Sequence, residues 1–328
     1  MTDPCGRGTR RGGATRRDFL RAAAAALGAG VLKARGAGDE VTIALFTDSH
    51  YADRTPRGSR HYRDSIPKLA QCIEAMGEAK PDVAVVLGDF TDQRGGVPAK
   101  LADLQHIEAL YRKLQVPRHH VIGNHDVDCI SKAQFVAGTA MPAPHYAFDA
   151  GPLRGIVLDA NYNKDLSPYN AGNFTWTETY VPPAEQRWLK AQLAAAKGKA
   201  VVFIHQCLDD EKGSHGVKNA PDVRKVLEAS GKVLAVFQGH NHRGAFRRIG
   251  GIPYFTLRAM VEGPGLANNA YALATLSPDG GVALRGFAKQ PSPPACGSLT
   301  MGRGELCGVV LRGLRDRPAR RPGSCHRG

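Results

Sequence analysis

The chain has 328 residues, of which 42% are hydrophobic and 7% aromatic, and it carries a formal net charge of +14. It holds no run of the roughly 18 apolar residues that a membrane-spanning helix needs, so it reads as a soluble globular chain of one large domain or two small ones. The charge gives no support to a nucleic-acid-binding fold, because residues 1–38 hold 8 Lys and Arg against 2 acidic residues, residues 291–328 hold 7 against 2, and the body between keeps only +3.

The leader runs Thr15-Arg16-Arg17-Asp18-Phe19-Leu20-Arg21 into an Ala-rich stretch, Ala22 to Leu32, with small residues after it. A charged segment, a short weakly apolar segment and small residues together read as an export signal. The paired arginines followed by Phe-Leu resemble the twin-arginine signal, which implies delivery through the twin-arginine machinery of a cargo already folded. Residues 1–38 are therefore assigned to export, the expected location is extracytoplasmic or periplasmic, and no stable membrane insertion is expected.

The body opens with an apolar β-branched run, Val41 to Phe46, that reads as a buried strand ending in Thr47-Asp48-Ser49-His50. Apolar positions at Ile66, Leu69, Ile73 and Met76 predict a helix over 61–80, stopped by Pro81. A second strand, Val83 to Leu87, ends in Gly88-Asp89-Phe90-Thr91-Asp92, and a second helix covers 98–115. A third strand leads through Val121 and Ile122 to Gly123-Asn124-His125-Asp126. Strand candidates follow at 145–148 and 155–158, then a helix over 184–196. The strand 200–204 ends in His205, and after a helix over 221–230 the strand 233–237 ends in Gly239-His240-Asn241-His242. Residues 244–287 read as short antiparallel strands broken by Gly and Pro. From about Gln290 the chain turns rich in Pro, Gly and Arg, and 291–328 read as a disordered basic tail after a body of 39–290. Seven cysteines without a C-x-x-C spacing give no disulfide framework.

Strand, helix, strand, helix, strand places the strand tips on one edge, where ligands of such sheets bind. Collected at those tips are Asp48, His50, Asp89, Asn124, His205, His240 and His242. One such group is an ordinary hydrogen-bonded terminus. Seven converging ones need a polycation, because unpaired polar groups are costly to bury together. Oxygen and nitrogen donors without sulfur suit Mn, Fe, Zn or Ni. Seven donors fit two ions that share a carboxylate.

D-x-H, G-D-x-x-D, G-N-H-D, a lone strand-end His and G-H-x-H, in this order over about residues 41–245, resemble the calcineurin-like metallophosphoesterases. The resemblance implies an α/β fold, a four-layer αββα sandwich of mixed sheets with helices outside. It implies two metal ions (Mn, Fe or Zn), with Asp48, His50 and His242 on the first, Asn124, His205 and His240 on the second, and Asp89 bridging. It implies hydrolysis of a phosphoester by a metal-bridged hydroxide. It also implies that His125 reaches the scissile phosphate as acid or charge stabiliser, with Asp126 orienting it. Purple acid phosphatases carry Tyr where this chain has Asp92, so Asp92 is expected to orient a ligand.

Residues 48–65 look like the loop of the manganese-dependent ADP-ribose/CDP-alcohol diphosphatases, which carry Gln where this chain has His50. The cyclic-nucleotide phosphodiesterase group has the D-x-H form. Expected substrate contacts are Tyr51, Asp53, Arg60 and His215, with Tyr162, Tyr169 and Trp176 as further candidates. The expected function is an exported metal-dependent phosphoesterase acting on a small phosphorylated substrate such as a nucleotide. A cyclic-nucleotide phosphodiesterase, a nucleotide-diphosphate hydrolase and a non-catalytic scaffold of the same fold are the alternatives.

Overall fold

A computed structural model describes residues 40–210 and 213–296. The expected export signal and most of the expected tail lie outside these residues. Two buried apolar runs form β1 (Val41–Phe46) and β2 (Val83–Val86), and β3 (Arg118–His120) lies beside them, all parallel. Parallel neighbours need a crossover, supplied here by α1 (Ser65–Ala79) and α2 (Val97–Tyr111). Pro67 and Pro98 sit in the first turns of these helices, where a missing N–H costs nothing. After β3 comes α3 (Lys132–Thr139), which the pattern of apolar residues did not reveal. Its signal is a capping box, Ser131 and Gln134 exchanging bonds with each other's backbone.

The second half builds another sheet. Its strands are β4 (Tyr146–Ala150), β5 (Leu153–Val157), β6 (Ala200–Phe203), β7 (Val233–Gln238), β8 (Arg243–Ile249) and β9 (Ile252–Arg258). Helices α4 (Pro183–Ala195) and α5 (Ala220–Ser230) make its crossovers. The order is β4-β5-β6-β7-β9-β8, and β9 runs parallel to β7. The last strands, β10 (Ala270–Leu276) and β11 (Val282–Ala288), return to the first sheet in the order β11-β10-β1-β2-β3. The expected antiparallel run 244–287 is thus two hairpins, one in each sheet.

Alternation along β6 sets the layers. Val201 and Phe203 pack into the core shared with the first sheet, whereas Val202 and Ile204 pack with Leu189, Leu193, Val223 and Leu227 of α4 and α5. On the other side Leu69, Met76, Leu104, Ile107 and Phe135 of α1 to α3 cover the first sheet. This is the expected α/β sandwich of two mixed sheets with helices outside. Truncating a fully buried ring such as Phe203 would cost about 3–5 kcal/mol.

The body also extends past 290. Val282 and Cys296 exchange N–H···O bonds of 2.7 and 2.8 Å, and Cys296 is buried, so residues 291–296 belong to the fold rather than to the tail. The cysteines described, Cys72, Cys129, Cys207 and Cys296, are unbridged. Among the described residues no helix is long and apolar enough to cross a membrane.

Candidate metal centre

Each strand tip delivers its polar group within a few residues of the last strand residue. Asp48 and His50 follow β1, Asp89 follows β2, Asn124 and His125 follow β3, His205 follows β6, and His240 and His242 follow β7. Four of these residues hold left-handed backbones: Asp48 (φ 50), His50 (φ 43), Asp89 (φ 49) and His240 (φ 66). For residues other than Gly such angles cost about 1–3 kcal/mol each and persist where the surroundings over-determine them, typically at functional sites. The tips also approach closely. A Cβ at Gly123 would run into the Asp89 carboxylate, and one at Gly239 into Asp48, so both positions require glycine.

The donors converge in two groups, Asp48 with His50 and His242, and Asp89 with His205 and His240. Asp89 lies between them: its Oδ2 is 3.4 Å from His50 Nε2 and 3.2 Å from His205 Nε2. Its Oδ1 is occupied by the His125 backbone N–H at 2.8 Å. Asp48 is divided the same way. Its Oδ2 accepts from Thr47 Oγ1 and the His240 N–H, while Oδ1 faces His242 Nε2 at 3.4 Å.

The outer ring nitrogens are tied down. His205 Nδ1 donates to the Leu87 carbonyl at 2.8 Å, His242 Nδ1 meets Glu262 Oε1 at 2.6 Å, and His50 Nδ1 meets Asp92 Oδ2 at 3.2 Å. Such outer partners turn the Nε2 lone pairs inward, the arrangement that metal-binding histidines use. Asp48 Oδ1, Asn124 Oδ1, His205 Nε2 and His240 Nε2 are buried there without a hydrogen-bond partner. Orphaned buried atoms of this kind are costly. A pair of cations satisfies all four, so the residues present fit the binuclear metal group.

The charge balance supports the same fit. Burial alone would raise the Asp48 carboxyl, yet His242 and His50 hold it well below the usual range. Asp89 is likewise driven low against burial by His205, His50 and His125. His205 and His242 are pushed up to about 9, against burial, by Asp89 and Asp48 respectively. Cations held at these carboxylates would take the place of the protons on the imidazoles.

His125 stands at the floor of the cleft with its side chain 29% exposed. Its Nδ1 lies 3.5 Å from Asp92 Oδ2 and 3.8 Å from Asp128 Oδ2. Burial disfavours its charge, but Asp89, Asp128 and Asp92 push it up to about 10. Asp126 does not orient it, contrary to expectation. The Asp126 carboxylate instead accepts from the Thr91 and Gly123 backbone N–H groups at 3.0 and 2.9 Å and holds the β2 and β3 tips together. The reason is the short 3-10 turn His125–Val127, in which residues three apart eclipse and adjacent ones diverge. Asp92, 5% exposed, takes the orienting role for both His50 and His125. A buried Lys100 from α2 braces the turn, donating to the His125 carbonyl at 2.6 Å and pairing with Asp128 at 3.2 Å.

Above this floor opens a cleft of ≈ 720 Å³, whose walls include Arg60, Trp176, His215, Asn241 and Arg243. Arg60 donates to Asp92 at 3.3 Å. Trp176 is 43% exposed, with its ring 5.6 Å from those of His215 and His240. Of the expected substrate contacts, Arg60, His215 and Trp176 thus reach the cleft. Tyr51 does not: it is buried and stacks on His106. Asp53 pairs with Arg63 on the surface. Tyr162 lies over Lys132, and Tyr169 is buried, donating to the Glu178 carbonyl. Sequence reasoning missed Glu262 and Asp128. Asp128 had a signal, the i+3 spacing from His125.

A family model, calcineurin-like phosphoesterase, matches residues 41–244. No curated protein matches the chain. Among solved structures, a dimetal phosphatase from Danio rerio is similar at a TM-score of 0.66 and 20% identity, over 77% of this chain and 98% of that one. A purple acid phosphatase from yellow lupin (Lupinus luteus) seeds is similar at 0.51 and 12%, over 79% and 53%. GAP50, the anchor in the inner membrane complex of Plasmodium, is similar at 0.50 and 15%, over 78% and 87%. At these identities the likeness concerns the fold.

Proposed function

This chain belongs to the calcineurin-like phosphoesterase family, and from that premise we propose that it is an exported two-metal phosphoesterase acting on a small substrate with an aromatic group. The observation that carries the reading is the convergence of six donors in two groups, with Asn124 beside them in the cleft, on one edge of two sheets, four of the seven having buried atoms without a hydrogen-bond partner. When bound, two ions of the Mn, Fe or Zn kind would supply an activated water near neutral pH and positive charge against the phosphoryl oxygens.

The chain's own residues do the rest. Asp48, His50, Asp89 and His242 would hold one ion, and Asp89, Asn124, His205 and His240 the other. Asp89 would serve both; its Oδ1 accepts the His125 N–H, while its Oδ2 lies between His50 and His205. His125, with Asp92 and Asp128 beside its Nδ1, offers its ring to a phosphoryl or leaving-group oxygen at the cleft floor. A positioned acid of this kind contributes about 10²–10⁴-fold. Asp92 and Lys100 fix its orientation.

The wall of Trp176 and His215 favours a planar ring on the substrate, which supports the nucleotide-diphosphate and cyclic-nucleotide readings over a plain alkyl phosphate. A protein described as an anchor in Plasmodium shares the fold, which keeps the scaffold alternative in view; the presence in this chain of all seven expected donors and His125 supports the catalytic reading.

The test is a substrate panel on metal-depleted full-length protein, with Mn, Fe, Zn and Co added back. Bis-p-nitrophenyl phosphate, ADP-ribose and cyclic AMP should be inert without metal, and at least one should turn over with it. Bound metal without turnover of any ester would favour the scaffold. Export rests on the Arg16-Arg17 leader; replacing both by Lys should leave the chain in the cytoplasm, and unchanged export would remove that part.

A further inference from the structure

We infer that a recess next to the cleft is a second anion subsite, formed by Arg258 and Lys289 with Arg243 on the cleft side of the hairpin, for a phosphate or similar oxyanion carried by the substrate away from its scissile phosphorus; this rests on the phosphoesterase reading of the cleft. The recess has a volume of ≈ 260 Å³ and is lined by Arg258, Glu262, Asn268 and Lys289, among others. It adjoins the metal centre through one side chain. Glu262 lines the recess while its Oε1 stands 2.6 Å from Nδ1 of His242.

The two cavities are also joined across a hairpin. Arg243 and Arg258 are direct partners in the antiparallel register of β8 and β9. Arg243 lines the cleft and Arg258 lines the recess. Directly opposite residues hold their Cβ atoms about 4.5–5.5 Å apart, and like charges at such positions are destabilising. Elsewhere on β8 the chain offsets its charge: Arg247 meets the Asp209 carboxylate. No such offset exists here. Among the described residues Arg243, Arg258 and Lys289 have no carboxylate within ion-pair distance, and the acid that lines the recess, Glu262, is committed to His242.

The local backbone is shaped to carry the pair. Gly244 takes φ +70, and a Cβ there would lie 2.9 Å from Arg258 Cγ, so the arginine stem crosses the strand where only glycine leaves room. Three cations that no described carboxylate pairs, beside a concave opening, present their donors to an oxyanion. A substrate with one phosphate at the metals and a second oxyanion here would be held at both ends by charge-assisted bonds.

The experiment uses the metal-loaded full-length protein with butyl phosphate, 1,4-butanediol bisphosphate and 1,6-hexanediol bisphosphate. One of the bisphosphates should show a KM roughly 10- to 100-fold below that of butyl phosphate, the range for hydrogen bonds to charged groups. Arg258→Gln and Lys289→Gln should erase most of that advantage and leave kcat and KM for butyl phosphate unchanged. Equal KM values for all three esters, or variants that weaken the monophosphate as much as the bisphosphate, would overturn the subsite. If none of these alkyl esters turns over, the phosphoesterase reading stands or falls on the aromatic and nucleotide esters of the panel above. Calorimetric titration with the same compounds then decides the recess alone: tighter bisphosphate binding lost in Arg258→Gln upholds it, and equal binding rejects it.

Discussion

The floor and the rim of the cleft are built on opposite principles. On the floor nearly every polar atom has a fixed partner or a fixed direction: Asp89, Asp48 and the three tethered histidines leave only inward-facing atoms free. On the rim Trp176 stands exposed and, among the described residues, Arg243 has no carboxylate within ion-pair distance, although Arg60 is tied to Asp92. The floor is over-determined, as a site must be that holds charge away from water. The rim is under-determined, so its groups remain available to a ligand. Substitutions on the floor should therefore change metal content and kcat, and substitutions on the rim should change KM.

The hardest test of that division is Asp89→Asn. The amide keeps an oxygen for the His125 N–H but turns an NH₂ group toward the two imidazoles where a carboxylate stood. Bound metal per chain, measured by elemental analysis, should fall below two, and turnover should drop well beyond the roughly 100-fold that loss of an outer partner costs. Full metal content with near-normal turnover would end the claim that Asp89 bridges. His125→Ala comes next. It should retain both ions, because its ring is not among the ligands, yet lose about 10²–10⁴-fold in kcat. An alanine variant with normal kcat would move His125 from the floor's chemistry to its scaffolding.

The floor was legible in the sequence because each ligand directly follows an apolar strand, and a strand end fixes both position and direction. Asp126 was misread because adjacency in sequence is not adjacency on a 3-10 turn; Asp128, three residues on from His125, is the local carboxylate that faces the ring, beside Asp92 from the β2 tip. Glu262 carries no local signal, since it reaches His242 only after β8 and β9 have run out and back. The division of the last four strands between two sheets was hidden for a similar reason. Turn residues mark where a hairpin bends and say nothing of the strand it joins, so β10 beside β1 and β9 beside β7 are long-range choices of the core. Tyr51 and Asp53 were drawn toward the rim by the likeness of the 48–65 loop to that of the diphosphatases, but the chain turns one inward and the other to solvent.

A smaller effect separates the floor's charge network from its ligands. Burial would raise the Asp92 carboxyl, but His125 and His50 overcome it and hold the group far below its ordinary value of 3.8. A depressed carboxyl contributes stability that is fully present above its unfolded value and is lost as pH falls through the lower folded one. Asp92→Asn should thus cost the metal-free protein about 1–3 kcal/mol near pH 6 by urea unfolding. The gap between parent and variant should shrink as pH is taken below 3.8. A gap that does not change with pH would mean that Asp92 acts by packing rather than by charge. Because it also backs His50, metal affinity should weaken about 10- to 100-fold.

The smallest expected effect lies on the rim and is the most discriminating for the comparison. Trp176→Ala removes a ring that is 43% exposed and whose polar neighbours, His215 and His240, do not depend on it for a hydrogen bond. Stability and metal content should therefore stay as they are. What is lost is a stacking face, worth about 0.5–1.5 kcal/mol, which is roughly two- to tenfold in KM. That loss should appear for an ester with an aromatic group and vanish for butyl phosphate, with kcat equal in both. If kcat falls instead, Trp176 is coupled through His240 to the metal floor, and floor and rim cease to be separate regions.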